Sequence, residues 1–230
     1  SYSLGFGDHI SNNKSIFYNI DEVTINETDN SLELHGPLSF LNNGSFLVSA
    51  RQYNSSGWLF GKNIFQTDDT IPIQQFIQIA QMNMTDQERL SGIAIPDSLM
   101  TGNREFVPLN NKKTTSYFSK ITFYPFKKIK MSYSLILNDN KSRSYSNSRR
   151  YAPEGVPTSY SQDFSQILNF NHMLSNKIFY TLSFSNYSNE SKRHLYQNEL
   201  SPNYQGIPFS SNGFLFGGTS NSRSKVNNSS

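Results

Sequence analysis

The sequence predicts an all-β protein, an antiparallel up-and-down meander that forms part of a transmembrane β-barrel. Three observations predict it. Apolar and polar residues alternate with period two over six segments. The connections between those segments run short, long, short, long, short, long. The composition joins small polar residues to aromatics: Ser and Asn make up roughly a quarter of the 230 residues, aromatics reach 14%, and charged residues are only 16%. A chain too polar to fold is usually poor in aromatics, so this mixture suits strands with one apolar and one wet face.

The segments follow in order. Leu32, Leu34, Gly36 and Leu38 alternate with Glu33, His35 and Pro37. After the turn signal Asn42-Asn43-Gly44, Phe46, Val48 and Ala50 alternate with Leu47, Ser49 and Arg51. Tyr117, Ser119, Ile121 and Phe123 alternate with Phe118, Lys120 and Thr122, and Met131, Tyr133, Leu135 and Leu137 with Ser132, Ser134 and Ile136. Phe164, Gln166, Leu168 and Phe170 alternate with Ser165, Ile167, Asn169 and Asn171, and Tyr180, Leu182 and Phe184 with Thr181, Ser183 and Ser185. Period two places successive side chains on opposite faces of a sheet. Leu47, Phe118, Ile136 and Ile167 are apolar on the wet side. Tyr2–Gly7 reads as a further, partial strand. Within the long excursion from Asn54 to about Lys112, Ile73, Phe76, Ile77, Ala80 and Met84 recur at helical spacing and predict a short amphipathic helix over 73–84.

The connections decide between β architectures. Phe40–Gly44, Pro125–Lys128 and Leu174–Lys177 are short; Asn54–Lys112, Lys141–Ser161 and the segment after Ser191 are long. In a meander, alternate connections emerge at opposite ends, so all the long loops share one end. Outer-membrane barrels have this asymmetry. A closed antiparallel sheet also satisfies every backbone N–H and C=O where no water is present. Tyr53, Tyr117, Tyr124, Phe164 and Tyr187 are expected at the membrane–water girdles, and Lys120 and Arg51 on the lumen side.

Other classes find little support. The absence of cysteine removes disulfide scaffolds, thiolate metal sites and thiol nucleophiles. No apolar run of ~18 residues forms a transmembrane helix. The net charge of +3 is too small to argue for nucleic acid. The four histidines (His9, His35, His172, His194) have no metal-ligand spacing. Asp68, Asp69, Asp86 and Glu88 read as solvated loop acids rather than a calcium site. No G-x-S-x-G elbow or phosphate loop occurs. No cofactor and no metal is expected, and the chain is read as a non-enzyme. A basic stretch (Lys141, Arg143, Arg149, Arg150) reads as a solvated loop, with an anionic ligand or lipopolysaccharide phosphate as the sharper alternative. The chain starts at Ser1 without a signal peptide and is expected to be a piece of a longer polypeptide.

Several motifs, in order, resemble TonB-dependent outer-membrane receptors of Bacteroidetes-like bacteria. Ile16-Phe17-Tyr18-Asn19-Ile20-Asp21, Gly36-Pro37-Leu38 and Phe46-Leu47-Val48-Ser49-Ala50-Arg51 are similar to the start of their barrel. Gly57-Trp58-Leu59-Phe60-Gly61, Phe106-Val107-Pro108-Leu109-Asn110, Tyr151-Ala152-Pro153-Glu154-Gly155 and Ser201-Pro202-Asn203-Tyr204 are similar to their later segments. The resemblance implies a barrel of about 22 strands with a plugged lumen. Residues 1–230 would then be one partial barrel domain from its N-terminal part, with the plug and remaining strands outside it. It also implies a Gram-negative outer membrane, lipid around the barrel, and uptake of a scarce nutrient (siderophore, glycan, peptide or vitamin) driven by the inner-membrane TonB complex.

Alternation nominates Glu33, His35, Ser49, Arg51, Lys120, Thr122, Ser132, Ser134, Asn169, Asn171, Thr181 and Ser183 as lumen-facing and ligand-contacting. Trp58, Tyr145, Arg149, Arg150 and Tyr151 are the extracellular-loop candidates, because aromatics and arginine offer stacking and bidentate contacts. The rival reading is a soluble, secreted all-β glycan-binding or adhesin module, in which the apolar face lies dry beneath a second sheet.

Overall fold

The computed structural model describes residues 1–13, 17, 26–41, 43–66, 96–144, 146, 149, 151–198, 209–211, 214–216 and 222–229. The expected helix over 73–84, the loop acids, Tyr145 and Arg150 lie outside the described residues.

The described chain is all-β apart from short 3-10 turns, among them Asp97–Leu99 and Pro153–Gly155. Its strands are β1 (Tyr2–Gly7), β2 (Glu27–Leu38), β3 (Gly44–Ser55), β4 (Phe60–Lys62), β5 (Phe106–Pro108), β6 (Lys112–Phe126), β7 (Ile129–Ser142), β8 (Thr158–Ser175), β9 (Ile178–His194), β10 (Phe209–Ser211), β11 (Phe214–Phe216) and β12 (Ser222–Ser229). Eight of them form one antiparallel meander in the order β1-β2-β3-β6-β7-β8-β9-β12. β4 pairs with β5, and β10 with β11, as separate two-stranded ribbons. Among the described strands the large sheet is open, with β1 and β12 at its edges.

The connections segregate. Residues 39–43, 127–128 and 176–177 turn tightly at one end; 8–26, 56–111, 143–157 and 195–221 connect strands at the other. The first tight turn is closed by Leu41 N–H donating to Leu38 O at 3.0 Å and Gly44 N–H to Leu41 O at 2.7 Å. Asn43 takes the left-handed conformation there, with φ of 48°, which asparagine tolerates better than most residues.

The two longest strands extend well past a membrane crossing. β8 has 18 residues and β9 has 17, against the ~9–11 needed to cross a bilayer. The extra length lies toward the long loops, where both faces are polar. Ser159–Gln162 pairs in register with Ser191, Glu190 and their neighbours although no apolar rung marks it. The ladder is made by backbone groups and needs no hydrophobic alternation. β12 carries no alternation for the same reason: Ser222–Ser229 has one apolar residue, Val226.

The register sorts the sheet into two faces. On the apolar face, Leu32, Ala50, Tyr117, Leu137 and Phe164 stand side by side across five strands. Two residues further along, Leu34, Val48, Ser119 and Leu135 form the next row, which continues into the polar Gln166 and Asn186. Phe46, Ile121, Tyr133, Leu168 and Phe184 follow, then Phe123, Met131, Phe170 and Leu182. This face is not covered by a second layer among the described residues: Leu182 is 48% exposed, Phe184 58% and Tyr117 52%. Monomeric soluble proteins rarely expose contiguous apolar area on this scale.

The buried core is instead in the long loops. Phe60, Phe65, Leu109, Ala152 and Val156 are the buried hydrophobic residues, and backbone bonds bind their segments together. Leu109 N–H donates to Leu59 O at 2.8 Å, Gly102 N–H to Ile64 O at 2.9 Å, and Phe65 N–H to Tyr151 O at 3.0 Å.

Gly57 is required where this loop core begins. Its φ is +74°, and a Cβ there would lie 2.2 Å from Asn110 O. Asn110 also accepts the Leu59 N–H through Oδ1 at 3.1 Å. Gly57→Ala is expected to destabilise the loop by roughly 1–3 kcal/mol, through backbone strain plus the displaced Asn110. Hydrogen exchange at the Leu59 amide checks this; unchanged protection would count against it.

Candidate functional site

All twelve residues nominated for the wet face share one side of the sheet. Glu33 stands opposite Ser49; Lys120 opposite Ser134; Thr122 opposite Ser132; Ser132 opposite Asn169; Asn169 opposite Ser183; and Asn171 opposite Thr181. His35 and Arg51 are two residues from Glu33 and Ser49 on the same strands. The wall is laced by cross-strand hydrogen bonds. Ser183 Oγ donates to Asn169 Oδ1 at 2.6 Å and Thr181 Oγ1 to Asn171 Oδ1 at 2.7 Å. Both amides accept through oxygen, which leaves their NH2 groups out of these two bonds.

The four apolar exceptions on this side form one feature. Phe118 lies opposite Ile136. Leu47 and Ile167 lie opposite Lys120 and Ser134, each one rung diagonal to that pair. Diagonal neighbours are ~7–8 Å apart, so the four make a shallow apolar arch over β3, β6, β7 and β8, with Phe118 and Ile136 one row nearer the long loops than Leu47 and Ile167.

Toward the long loops the polar face becomes charged. Arg51 grips Asp29 with both ends of its fork, Nε to Oδ1 at 2.9 Å and Nη2 to Oδ2 at 2.5 Å. Tyr53 OH donates to Glu27 Oε1 at 2.9 Å, and Ser55 Oγ to the same oxygen at 3.2 Å. Arg51, Tyr53, Lys112, Thr114 and Ser116 line a hollow of about 380 Å³. Alternation nominated Arg51 but missed Asp29, Glu27, Tyr53, Lys112 and Thr114. Their intervening residues, Thr28, Asn54 and Lys113, are polar, so no period marked the strands there.

The girdle expectation is corrected in part. Tyr117 and Phe164 are on the apolar face, while Tyr53, Tyr124 and Tyr187 are on the polar one. Tyr187 OH donates to Asp163 Oδ1 at 2.8 Å, and Lys130 Nζ lies 6.0 Å from the Tyr124 ring centre. Another aromatic group borders the apolar face at its tight-turn end. Phe170, His172 and Tyr180 cluster there, with ring centres 5.3–6.3 Å apart. His172 Nδ1 and Tyr180 OH are 3.1 Å apart.

The loop candidates divide. Trp58 is half exposed and meets the His9 ring edge-on at 5.5 Å. Arg149 is only 6% exposed, and burial pulls its guanidinium below the ordinary arginine pKa. A Cβ on Gly155 would fall 2.4 Å from Arg149 Nη1, so the absence of a side chain at 155 makes room for the guanidinium. Arg149 is thus part of the loop core rather than a solvent-facing contact. Tyr151 contributes its carbonyl, which accepts from both Ile64 and Phe65 N–H. Lys141, expected in a loop, is in β7.

Among the described residues no group of three His, Asp or Glu is placed to hold a metal. No protein-family model matches the chain, no curated protein is similar to it, and no solved structure matches it.

Proposed function

We propose that this chain is part of the transmembrane barrel of an outer-membrane TonB-dependent receptor, a non-enzymatic transporter of a scarce nutrient. The observation that carries the membrane reading is the apolar face. Its outermost rungs on β8 are Phe164 and His172, eight residues or about 27 Å of strand. At the ~40° tilt of membrane strands this spans roughly 21 Å, close to the ~25 Å apolar band of outer-membrane barrels. The tight turns at one end and long loops at the other fit the same account, as does an opposite face rich in Ser, Thr and Asn. The open edges at β1 and β12 would be paired by further strands, since unpaired edges are not tolerated in hydrocarbon. The receptor class, its ~22 strands and its coupling to the TonB complex rest on the motif resemblance. Ligand would meet the loop-end hollow around Arg51 and Tyr53, then the amide- and hydroxyl-lined wall.

Fractionation of cells making the full-length protein tests the membrane reading. The protein is expected in the outer-membrane fraction, resisting alkaline carbonate and released by detergent. Recovery in the aqueous supernatant overturns it in favour of a secreted binding module.

A further inference from the structure

One feature of the outward face is unused by transport. Beyond the last apolar row, toward the long loops, one row across the sheet reads Thr28, Asn54, Lys113, Lys141, Tyr160 and Lys192. Arg223 holds the next register position, opposite Lys192. Tyr160 is four residues before Phe164, so the row stands about 13 Å up the strand and roughly 10 Å above the apolar band. Headgroups begin there.

Lys113 and Lys141 are directly opposite on neighbouring strands. Their Cβ atoms are then about 5 Å apart, a spacing at which like charges repel. Neither makes an ion pair within the described structure. Glu190 is engaged by Lys192, Nζ to Oε1 at 3.0 Å. Asp139, the other acid of the adjoining row, lies two residues from Lys141 without pairing to it. Lys141 Nζ rests 5.7 Å from the Tyr160 ring centre, and that ring stacks on His194 at 4.6 Å. Beside the two lysines is a hollow of about 410 Å³, lined also by Thr28, Asn54, Asn111 and Lys112. Two lysine side chains of one face, Lys113 and Lys141, and neutral polar residues border one concavity at headgroup depth.

We propose that Lys113 and Lys141, with this hollow, bind the phosphate groups of anionic lipid in the surrounding leaflet. The inference rests on the membrane reading above. A phosphate there offsets the repulsion between the two lysines, and their stems lie along the upper apolar rim while the ammonium groups reach the headgroups.

The test uses the full-length protein in zwitterionic detergent micelles, titrated with phosphatidylglycerol, phosphatidylcholine or inorganic phosphate, and reads the unfolding midpoint. Only phosphatidylglycerol is expected to raise it. Lys113→Gln with Lys141→Gln is expected to raise the half-saturating lipid concentration roughly thirtyfold. Lys113→Arg with Lys141→Arg is expected to retain the response, separating charge from any loss of fold. Lys127→Gln with Lys128→Gln, at the tight-turn end, is the control and is expected to leave it unchanged. Equal responses to both lipids, a full response to inorganic phosphate, or equal losses from the two glutamine pairs overturn the proposal. A protein folded and soluble without detergent overturns the membrane reading instead, a separate outcome.

Discussion

If a bilayer surrounds the apolar face, Leu168→Arg is expected to cost roughly 2–4 kcal/mol, while Asn169→Arg, the next residue of the same strand, is expected to cost about 1 kcal/mol. Leu168 is in the middle row of the apolar face, between Tyr133 and Phe184. Two further rows separate it from either end of the face, those of Gln166 and Phe164 toward the loops and those of Phe170 and His172 toward the tight turns. Asn169 faces the other way, between Ser132 and Ser183. Its replacement forfeits the hydroxyl bond from Ser183 but leaves the new charge in a polar setting.

The contrast between faces also fits a sandwich, whose interior would reject arginine at Leu168. Depth separates the two. In a bilayer the penalty peaks at the midplane and falls to about 0–1 kcal/mol at the interfaces. Arginine at Phe164 or His172, the two ends of the apolar run on β8, is therefore expected to be tolerated much better than at Leu168. Urea unfolding from lipid vesicles, followed by heat-modifiable gel mobility, measures all four variants. Equal penalties at 164, 168 and 172 would falsify a bilayer around this face.

The apolar centre of the sheet was legible in the sequence, because alternation there repeats the pleat. Leu32–Leu38, Phe46–Ala50 and Phe164–Phe170 each declare a strand and its facing in one reading. The connection lengths then gave the meander, and with it the end that carries the loops. The polar extensions of β8 and β9 were not legible, nor was β12, since backbone pairing continues without any periodic side chain. Nor could alternation find the Asp29–Arg51 and Glu27–Tyr53 pairs. They depend on register across two strands, which is fixed by the 39–43 turn rather than by either strand. Arg149 shows the opposite failure. Its residue type suggested a ligand contact, but burial depends on how 56–66, 101–110 and 149–156 come together, contacts distant in sequence that carry no periodic signal.

That loop assembly leads to the second large effect. Leu109→Ala is expected to destabilise the loop core by about 2–5 kcal/mol. Leu109 is 2% exposed and immediately follows β5, with its N–H committed to Leu59 O. Truncation leaves a cavity, and the strands of β4 and β5, three residues each, are too short to hold the segment by themselves. The large sheet is held by a different set of interactions: continuous ladders from β1 to β12, in which the loop core takes no part. On the membrane reading proposed above, the variant is therefore expected to open the loops to protease while the urea midpoint of the large sheet stays within error of the parent. Cleavage should concentrate in 56–66 and 101–110, whose backbones are cross-linked through Asn63, Ile64 and Gly102. A sheet midpoint that falls together with loop protection would mean that loops and sheet unfold as one unit.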